Sequence, residues 1–300
     1  MTLTVDLARY LAERREAVDQ ALDRALPSAD RYPKTIHESM RYSVFAGGKR
    51  LRPILVIAGA EAAGGSMAEV MPTACAMELV HTYSLIHDDL PAMDDDDFRR
   101  GRPTNHKVFG EAVAILAGDA LLTLAFRLIA ENCAANGRDP SLLRDVLIEI
   151  ADAAGTEGMI GGQVVDLESE GQKVLPETLE YIHTHKTQAL IRASLRAGAL
   201  LMNAPSRVLA PLTRAAECLG LAFQIVDDIL DVEGSLEQLG KSAGSDQRKQ
   251  KATYPEIFGL EVSKLRAREL AEEAKAALAM IGPRVEPLVL LADFIVERKS

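Results

Sequence analysis

Two long apolar helical stretches in this chain run straight into paired aspartates. Met77 to Ile86 leads to Asp88-Asp89, and Cys218 to Val226 leads to Asp227-Asp228. An ionised carboxylate beside an apolar wall loses hydration, and neighbouring carboxylates repel. Acidic groups near a helix C-terminus also oppose the helix dipole. A chain built this way has to bring both helix ends to something positive. Hard divalent cations answer that need: Mg²⁺ takes oxygen ligands and bridges one or two carboxylates to the phosphates of a substrate. Two such clusters, continued by Asp94 and by Asp231, can hold a diphosphate between them through several metals.

Helical period dominates the rest. Leu3, Leu7, Tyr10, Leu11, Val18 and Leu22 form one amphipathic stripe that Pro27 ends. Further helices are expected over Lys34–Ala46, Arg52–Ala63, Ala68–Asp88, His106–Asn132, Leu142–Glu157, Pro176–Leu200, Ser206–Val232, Tyr254–Met280 and Pro287–Lys299. Alternating strand patterns are absent. Hydrophobic residues make up 48% of the 300, yet aromatics only 4% and there is no Trp. A core of Ala, Leu, Ile and Val favours helix packed on helix, and no Ser/Gly-rich linker divides residues 1–300. The reading is a single all-α domain. The polar break from Glu233 to Thr253 is long for a compact bundle, and such breaks are often functional lids.

A net charge of −10 argues against nucleic acid or an anionic membrane surface as the main partner. Cys75, Cys133 and Cys218 are odd in number and lie in apolar helical context, so buried free thiols are expected. The first ten residues lack a signal-peptide pattern, and no apolar run reaches about 18 residues. The expectation is a soluble, cytoplasmic protein.

Asp227 and Asp231 are four apart and share one helix face, whereas Asp228 is rotated by about 100°. Pro91 breaks the first helix, so Asp94 is expected to reach back from a loop. Asp95, Asp96 and Asp97 read as a solvated run. Cations stand where an anion needs them. Gly47-Gly48-Lys49-Arg50-Leu51-Arg52-Pro53 puts two glycines and three cations at a helix start. Arg99-Arg100-Gly101-Arg102 follows the first acidic cluster. His81 lies two turns before Asp88, and Gln224 lies one turn before Asp227 and Asp228. Gly161-Gly162-Gln163 reads as a helix kink without assigned chemistry.

Together these segments resemble the trans-isoprenyl diphosphate synthases. "GGKRLRP", "SLIHDDLPAMDDDDFRRGRPTNH", "GMIGGQVVDL", "HTHKTQALI", "FQIVDDILD" and "LGKSAGSDQRKQKATYP" occur in the family's order across nearly the whole chain. The four residues between Asp89 and Asp94 resemble bacterial farnesyl diphosphate synthases, and plant-type geranylgeranyl diphosphate synthases share that insertion. The resemblance implies an isoprenoid-synthase-type helical bundle around a central cavity, a homodimer and three Mg²⁺. It implies Asp88, Asp89, Asp94, Asp227, Asp228 and Asp231 as metal residues. Arg99, Lys186, Thr187, Gln224, Lys241 and Lys251 match contacts to the allylic diphosphate; Lys49, Arg52, His81 and Arg100 match contacts to isopentenyl diphosphate. Asp88, Asp94, Arg99, Lys186 and Asp227 would carry the chemistry.

The implied reaction ionises an allylic C–O bond, adds the double bond of isopentenyl diphosphate and loses a proton. Apolar walls exclude the water that would quench the cation. Tyr83 and Ser84 precede Asp88 by five and four residues, so Tyr83 lies roughly 7–8 Å below it along the helix. An aromatic there resembles the C15 case, making farnesyl diphosphate the expected product. Geranylgeranyl and geranyl diphosphate synthases are the near alternatives. A terpene cyclase would carry an Asn/Ser/Glu metal motif in place of Asp227–Asp231. A non-catalytic helical partner subunit would lose one acidic motif or its lysines, and both are present.

Overall fold

The computed structural model describes residues 5–135, 137, 139–234 and 252–298. Lys241 and Lys251, and most of the polar break expected between Glu233 and Thr253, lie outside the described residues. Helices dominate: α1 (Leu7–Ala25), α2 (Lys34–Val44), α3 (Leu51–Ala62), α4 (Met67–Asp88), α5 (Asn105–Phe109), α6 (Glu111–Ala135), α7 (Pro140–Ala154) and α8 (Met159–Ser169). Then come α9 (Pro176–Ile182), α10 (Ala189–Leu201), α11 (Ser206–Gly234), α12 (Tyr254–Phe258), α13 (Leu260–Ala279) and α14 (Glu286–Glu297).

The packing follows the sequence's small aliphatic composition. α4 lies along α6, α3 along α10 and α11 along α13. One apolar cluster gathers α1, α2, α4, α6 and α10 around Leu22, Met77, Leu121 and Leu190; a second gathers α3, α10, α11, α13 and α14 around Leu55, Leu219, Leu270 and Leu288. α3 and α10 contribute to both clusters, so the two acid-bearing helices, α4 and α11, flank the same pair.

α4 is held at both ends of its first turns. Ser66 and Glu69 form a capping box, with the Ser66 N–H donating to Glu69 at 2.9 Å. Pro72 lies inside the helix, where it removes a backbone donor. The buried Asn132 of α6 meets the disturbed turn: its oxygen accepts from the Thr73 N–H at 3.0 Å and its nitrogen donates to the Glu69 carbonyl at 2.7 Å.

Five local expectations are corrected. The helices read over His106–Asn132 and Tyr254–Met280 are each two helices, broken at Gly110 (φ 82°) and Gly259 (φ 87°), whose left-handed backbone the apolar periodicity does not register. The helix read over Pro176–Leu200 contains a wider π turn, His183–Gln188. A two-residue hairpin, β1 (Phe98–Arg99) with β2 (Arg102–Pro103), turns through Arg100 and Gly101; it is too short for alternation to show. Two helical spans, Glu111–Cys133 and Ser206–Glu233, are long and apolar enough to cross a membrane, because their charges are spaced rather than absent. The second is a core helix; α6 buries one face and exposes Ile115, Leu116 and Phe126 on the other. Cys75, Cys133 and Cys218 are buried free thiols, as expected.

Candidate active site

α4 delivers the first acidic cluster and the chain turns back on it. The Asp94 N–H donates to the Asp88 carbonyl at 2.8 Å, and the Asp96 N–H to the Asp89 carbonyl at 3.2 Å. Asp94 therefore returns to the helix end, as its position after Pro91 implies. Burial pushes the Asp88 carboxyl up to about 6; Lys186 pulls against that rise, and Asp94 and Asp89 add to it. Asp95 and Asp97 are exposed, and Asp97 pairs with Lys107 at the surface at 2.6 Å.

Asp89 differs from its neighbour. It is buried, and Arg99 reaches its Oδ1 with Nε at 2.8 Å and Nη2 at 2.6 Å. The two residues matched to metal and to the allylic diphosphate hold each other here. Asp89 fixes the hairpin that carries Arg99 and Arg100.

α8 and the π turn form a second wall. Gly162 allows their backbones to meet: a Cβ there would fall 2.3 Å from the Lys186 nitrogen, and one at Gly161 would fall 2.0 Å from the Thr156 carbonyl oxygen. The glycines serve close packing in a continuous helix and make no kink, which corrects the sequence reading. Lys186 reaches Asp166 of α8 at 2.6 Å. Thr187 Oγ1 donates to Gln224 Oε1 at 2.8 Å, and Gln224 Nε2 donates to Asp228 Oδ1 at 2.9 Å. The other oxygen of Asp228 accepts from the Tyr254 N–H at 2.8 Å, with His183 Nε2 at 3.3 Å. Asp228 is buried with both oxygens on protein partners. Rotated away from Asp227 and Asp231, it ties α11 to the π turn and α12.

The cations gather separately. Arg50 opens α3 with a left-handed backbone (φ 52°) and buries its guanidinium among Asp19 at 2.7 Å, Glu78 at 2.6 Å and the Val44 carbonyl at 2.7 Å. It bolts the Gly47–Arg52 segment to α1, α2 and α4. Arg100 donates to the Gly47 carbonyl, joining the hairpin to that segment. Burial, reinforced by Arg100, lowers Arg52 to about 10. Burial, then Arg52, Arg100, Arg99 and Arg50, lowers His81 well below its usual range, so its imidazole is neutral. Burial and Arg298 lower Lys49. Cations that depress one another form a resting place for a polyanion.

A cavity of about 380 Å³ joins the walls. α4 lines it with His81, Tyr83, Ser84 and Asp88, joined by Arg52 of α3 and by Lys186 and Thr187 of the π turn. Tyr83 is buried and meets His87 edge-on at 5.8 Å; burial and Asp88 push its hydroxyl up to about 12. The Ser84 hydroxyl is spent on the His81 carbonyl at 2.9 Å. Lys49 instead lines a neighbouring apolar groove with Phe223 and Arg298.

Asp227 is met by Arg298, beyond the end of α14, at 2.6 Å; burial raises its carboxyl, and Arg298 opposes that rise. Asp231 lies one turn further along α11, half-buried. Among the described residues no group of three or more His, Cys, Asp or Glu is preassembled around a cation position. A donor set of oxygens alone, in two dispersed groups, fits an ion such as Mg²⁺ that keeps waters and takes substrate phosphates as ligands. Asp88 and Asp94 would hold it on one side, Asp227 and Asp231 on the other.

Arg50, read as one of three cations for an anion, is committed instead to Asp19 and Glu78; Gln163, Asp166 and Arg298 carry no site role in the sequence reading. Asp166 and Gln163 stood in a quoted segment, three apart and so on one helical face with access to Lys186 and the cavity. Arg298 carries no local signal, since its partner is 71 positions away.

Residues 33–280 match the family described as polyprenyl synthetase. The chain is 52% identical over 296 residues to the dimethylallyltranstransferase of Fischerella ambigua (strain UTEX 1903), covering 98% of this chain and 84% of that protein. It is 49% identical to the geranylgeranyl diphosphate synthase of Cyanophora paradoxa, covering 98% and 97%. Among solved structures, an apo FPP/GFPP synthase from Zymomonas mobilis superposes with a TM-score of 0.87 at 35% identity, covering 98% of this chain and all of that one. With the motifs in order, the all-α bundle and this breadth of likeness, the chain belongs to the polyprenyl synthetase family.

Proposed function

We propose that this protein condenses isopentenyl diphosphate with dimethylallyl and then geranyl diphosphate, in the presence of Mg²⁺, to give farnesyl diphosphate. The observation that carries the reading is that Asp88, Lys186, Thr187, Arg52 and His81 line one cavity together with the buried ring of Tyr83. Bound Mg²⁺, three ions by family resemblance, would neutralise the oxygens of the departing diphosphate. Lys186 and Thr187 orient that diphosphate, while Lys49, Arg52, His81 and Arg100 hold the second substrate. The allylic C–O bond breaks with both electrons leaving on oxygen. The double bond of isopentenyl diphosphate attacks the allylic carbon, and the released diphosphate takes the proton. The apolar residues Met93, Met159 and Ile160 line the same cavity and exclude water.

A second reading, geranylgeranyl diphosphate as product, is favoured by the names of several relatives near 50% identity. Incubating purified protein with Mg²⁺, dimethylallyl diphosphate and isopentenyl diphosphate, then sizing the products chromatographically, tests both. C15 supports Tyr83 as the floor, C20 supports the second reading, and no diphosphate release overturns both.

We also propose a cytoplasmic homodimer. Ile115, Leu116 and Phe126 form an exposed apolar stripe on α6 that a second copy would cover, and three buried free thiols suit a reducing compartment. A light-scattering mass near that of one chain would refute the dimer.

A further inference from the structure

Gln163 is buried, 8% exposed, and neither its Oε1 nor its Nε2 has a hydrogen-bond partner among the described residues. Unmade bonds on a buried amide are costly, and a Leu or Met would fill the same volume without that cost. The side chain lines the cavity that also holds Asp88, Lys186 and Tyr83. Its position is built: Gly162 brings α8 against the Lys186 backbone, and Asp166, three residues on, ties α8 to the Lys186 ammonium at 2.6 Å. A rigid wall thus presents an unsatisfied dipole beside the group expected to orient the leaving diphosphate.

The cavity's other polar groups suit anions. Lys186 and Arg52 are cationic, and Asp88 is expected to serve metal. Positive charge on allylic carbon needs a different partner: an oxygen that carries partial negative charge but does not trap the cation. A carboxylate would form an ester, and a hydroxyl would add and lose its proton. A carboxamide oxygen is a weak nucleophile with a strong dipole. We propose that Gln163 is a catalytic residue of the prenyl transfer, its Oε1 facing the allylic carbons and stabilising the cation; this rests on the function proposed above. As the allylic C–O bond breaks, both electrons leave on the diphosphate oxygen and the cation spreads over the two ends of the allyl unit. The attacking double bond then forms the new carbon–carbon bond, and diphosphate takes the proton. Gln163 forms no bond at any stage; its contribution is preorganised electrostatics.

The test uses the full chain with Mg²⁺ and the variants Gln163→Leu and Gln163→Met, the second keeping the length of the side chain should the first fold poorly. Steady-state kinetics give kcat and KM for each substrate. Calorimetry gives the affinity for two probes, each with inorganic diphosphate: an allylic chain carrying an ammonium at the reacting carbon, and its neutral isostere. The expected result is a fall in kcat of about 100-fold with KM nearly unchanged. The ammonium probe should weaken about tenfold while the neutral one holds. Equal weakening of both probes, unchanged kcat, or a raised KM with kcat intact would overturn the proposal. Failure of the unsubstituted protein to release diphosphate from any allylic substrate would instead sink the underlying function.

Discussion

Arg298 Nη2 lies 2.6 Å from Asp227 Oδ1, and the same guanidinium stacks 4.1 Å over the Phe223 ring and donates to the Phe223 carbonyl at 2.9 Å. A cation from the end of the chain therefore sits on a carboxylate expected to serve metal. The arginine side chain is nearly buried, whereas Asp227 is partly open, so the pair is worth less than a fully buried one. Arg298→Ala should cost about 1–2 kcal/mol in metal-free protein, lowering Tm by about 2–6 °C. Mg²⁺ with inorganic diphosphate should restore more of that loss in the variant than it adds to the unsubstituted protein. Scanning calorimetry with and without these ions checks it; an equal increment in both proteins would count against competition at Asp227.

His81 is a base whose folded pKa is depressed by burial and four arginines. The folded state binds fewer protons than the unfolded one below pH ~6.5, so the stability this group contributes is full above that pH and drains as pH falls toward the depressed value. His81→Gln should flatten the decline in unfolding free energy between pH 7.5 and 5.5. Urea titrations at the two pH values measure it, and parallel declines in both proteins would show that the acid sensitivity comes from elsewhere. Inorganic diphosphate should raise the His81 pKa by offsetting the surrounding cations, which its ring proton shifts would report.

Much of this arrangement could be read along the chain, and what could not has a common cause. The carboxylates of α4 and α11 announce themselves because each pair follows a long apolar helical stretch, at the end of α4 and within α11. Lys49 and Arg100 do so because they adjoin glycines, and Arg52 because it follows in the same basic helix start. Arg298 and Asp166 matter through partners on other helices, and no local pattern points across such a gap. Asp228 is legible in part: the turn of about 100° that separates it from Asp227 follows from helix geometry, whereas its partners His183 and Tyr254 lie on other elements. Gly110 and Gly259 break helices whose apolar period runs on unbroken, because backbone torsion and side-chain pattern are separate signals.

Asp88 is an acid whose folded pKa is raised to about 6 by burial, with Asp94 and Asp89 adding to it. The folded state holds this proton more tightly, so in metal-free protein the group's contribution is greatest below its unfolded pKa and is lost as pH rises through about 6. Metal requires the ionised form and reverses the trend. The Tm increment produced by Mg²⁺ and diphosphate should be small at pH 5 and grow through pH 6 to 7. Asp88→Asn should abolish that growth. A pH-independent increment in the unsubstituted protein would place the metal away from Asp88.

Tyr83 closes the cavity against a second layer. Its ring meets His87 edge-on at 5.8 Å, and His87 donates to the Ile115 carbonyl of α6 at 3.0 Å. The imidazole fills the space beside Gly118, where a Cβ would fall 2.1 Å from its Nε2. Removing the Tyr83 ring opens volume directly below Asp88. Tyr83→Ala should therefore lengthen the main product by at least one C5 unit, and Tyr83→Leu, which leaves a smaller void, should give a mixture. Gly118→Ala should act oppositely: the new methyl cannot coexist with the imidazole where it stands, and the ring's open side is the cavity. Its main product should be no longer than that of the unsubstituted protein, with turnover on the longer allylic substrate reduced about tenfold, as a misplaced wall reduces productive binding. Product sizing of all three variants decides the matter. Unchanged product length in Tyr83→Ala, in a protein that still folds and turns over, would move the floor of the cavity to other residues.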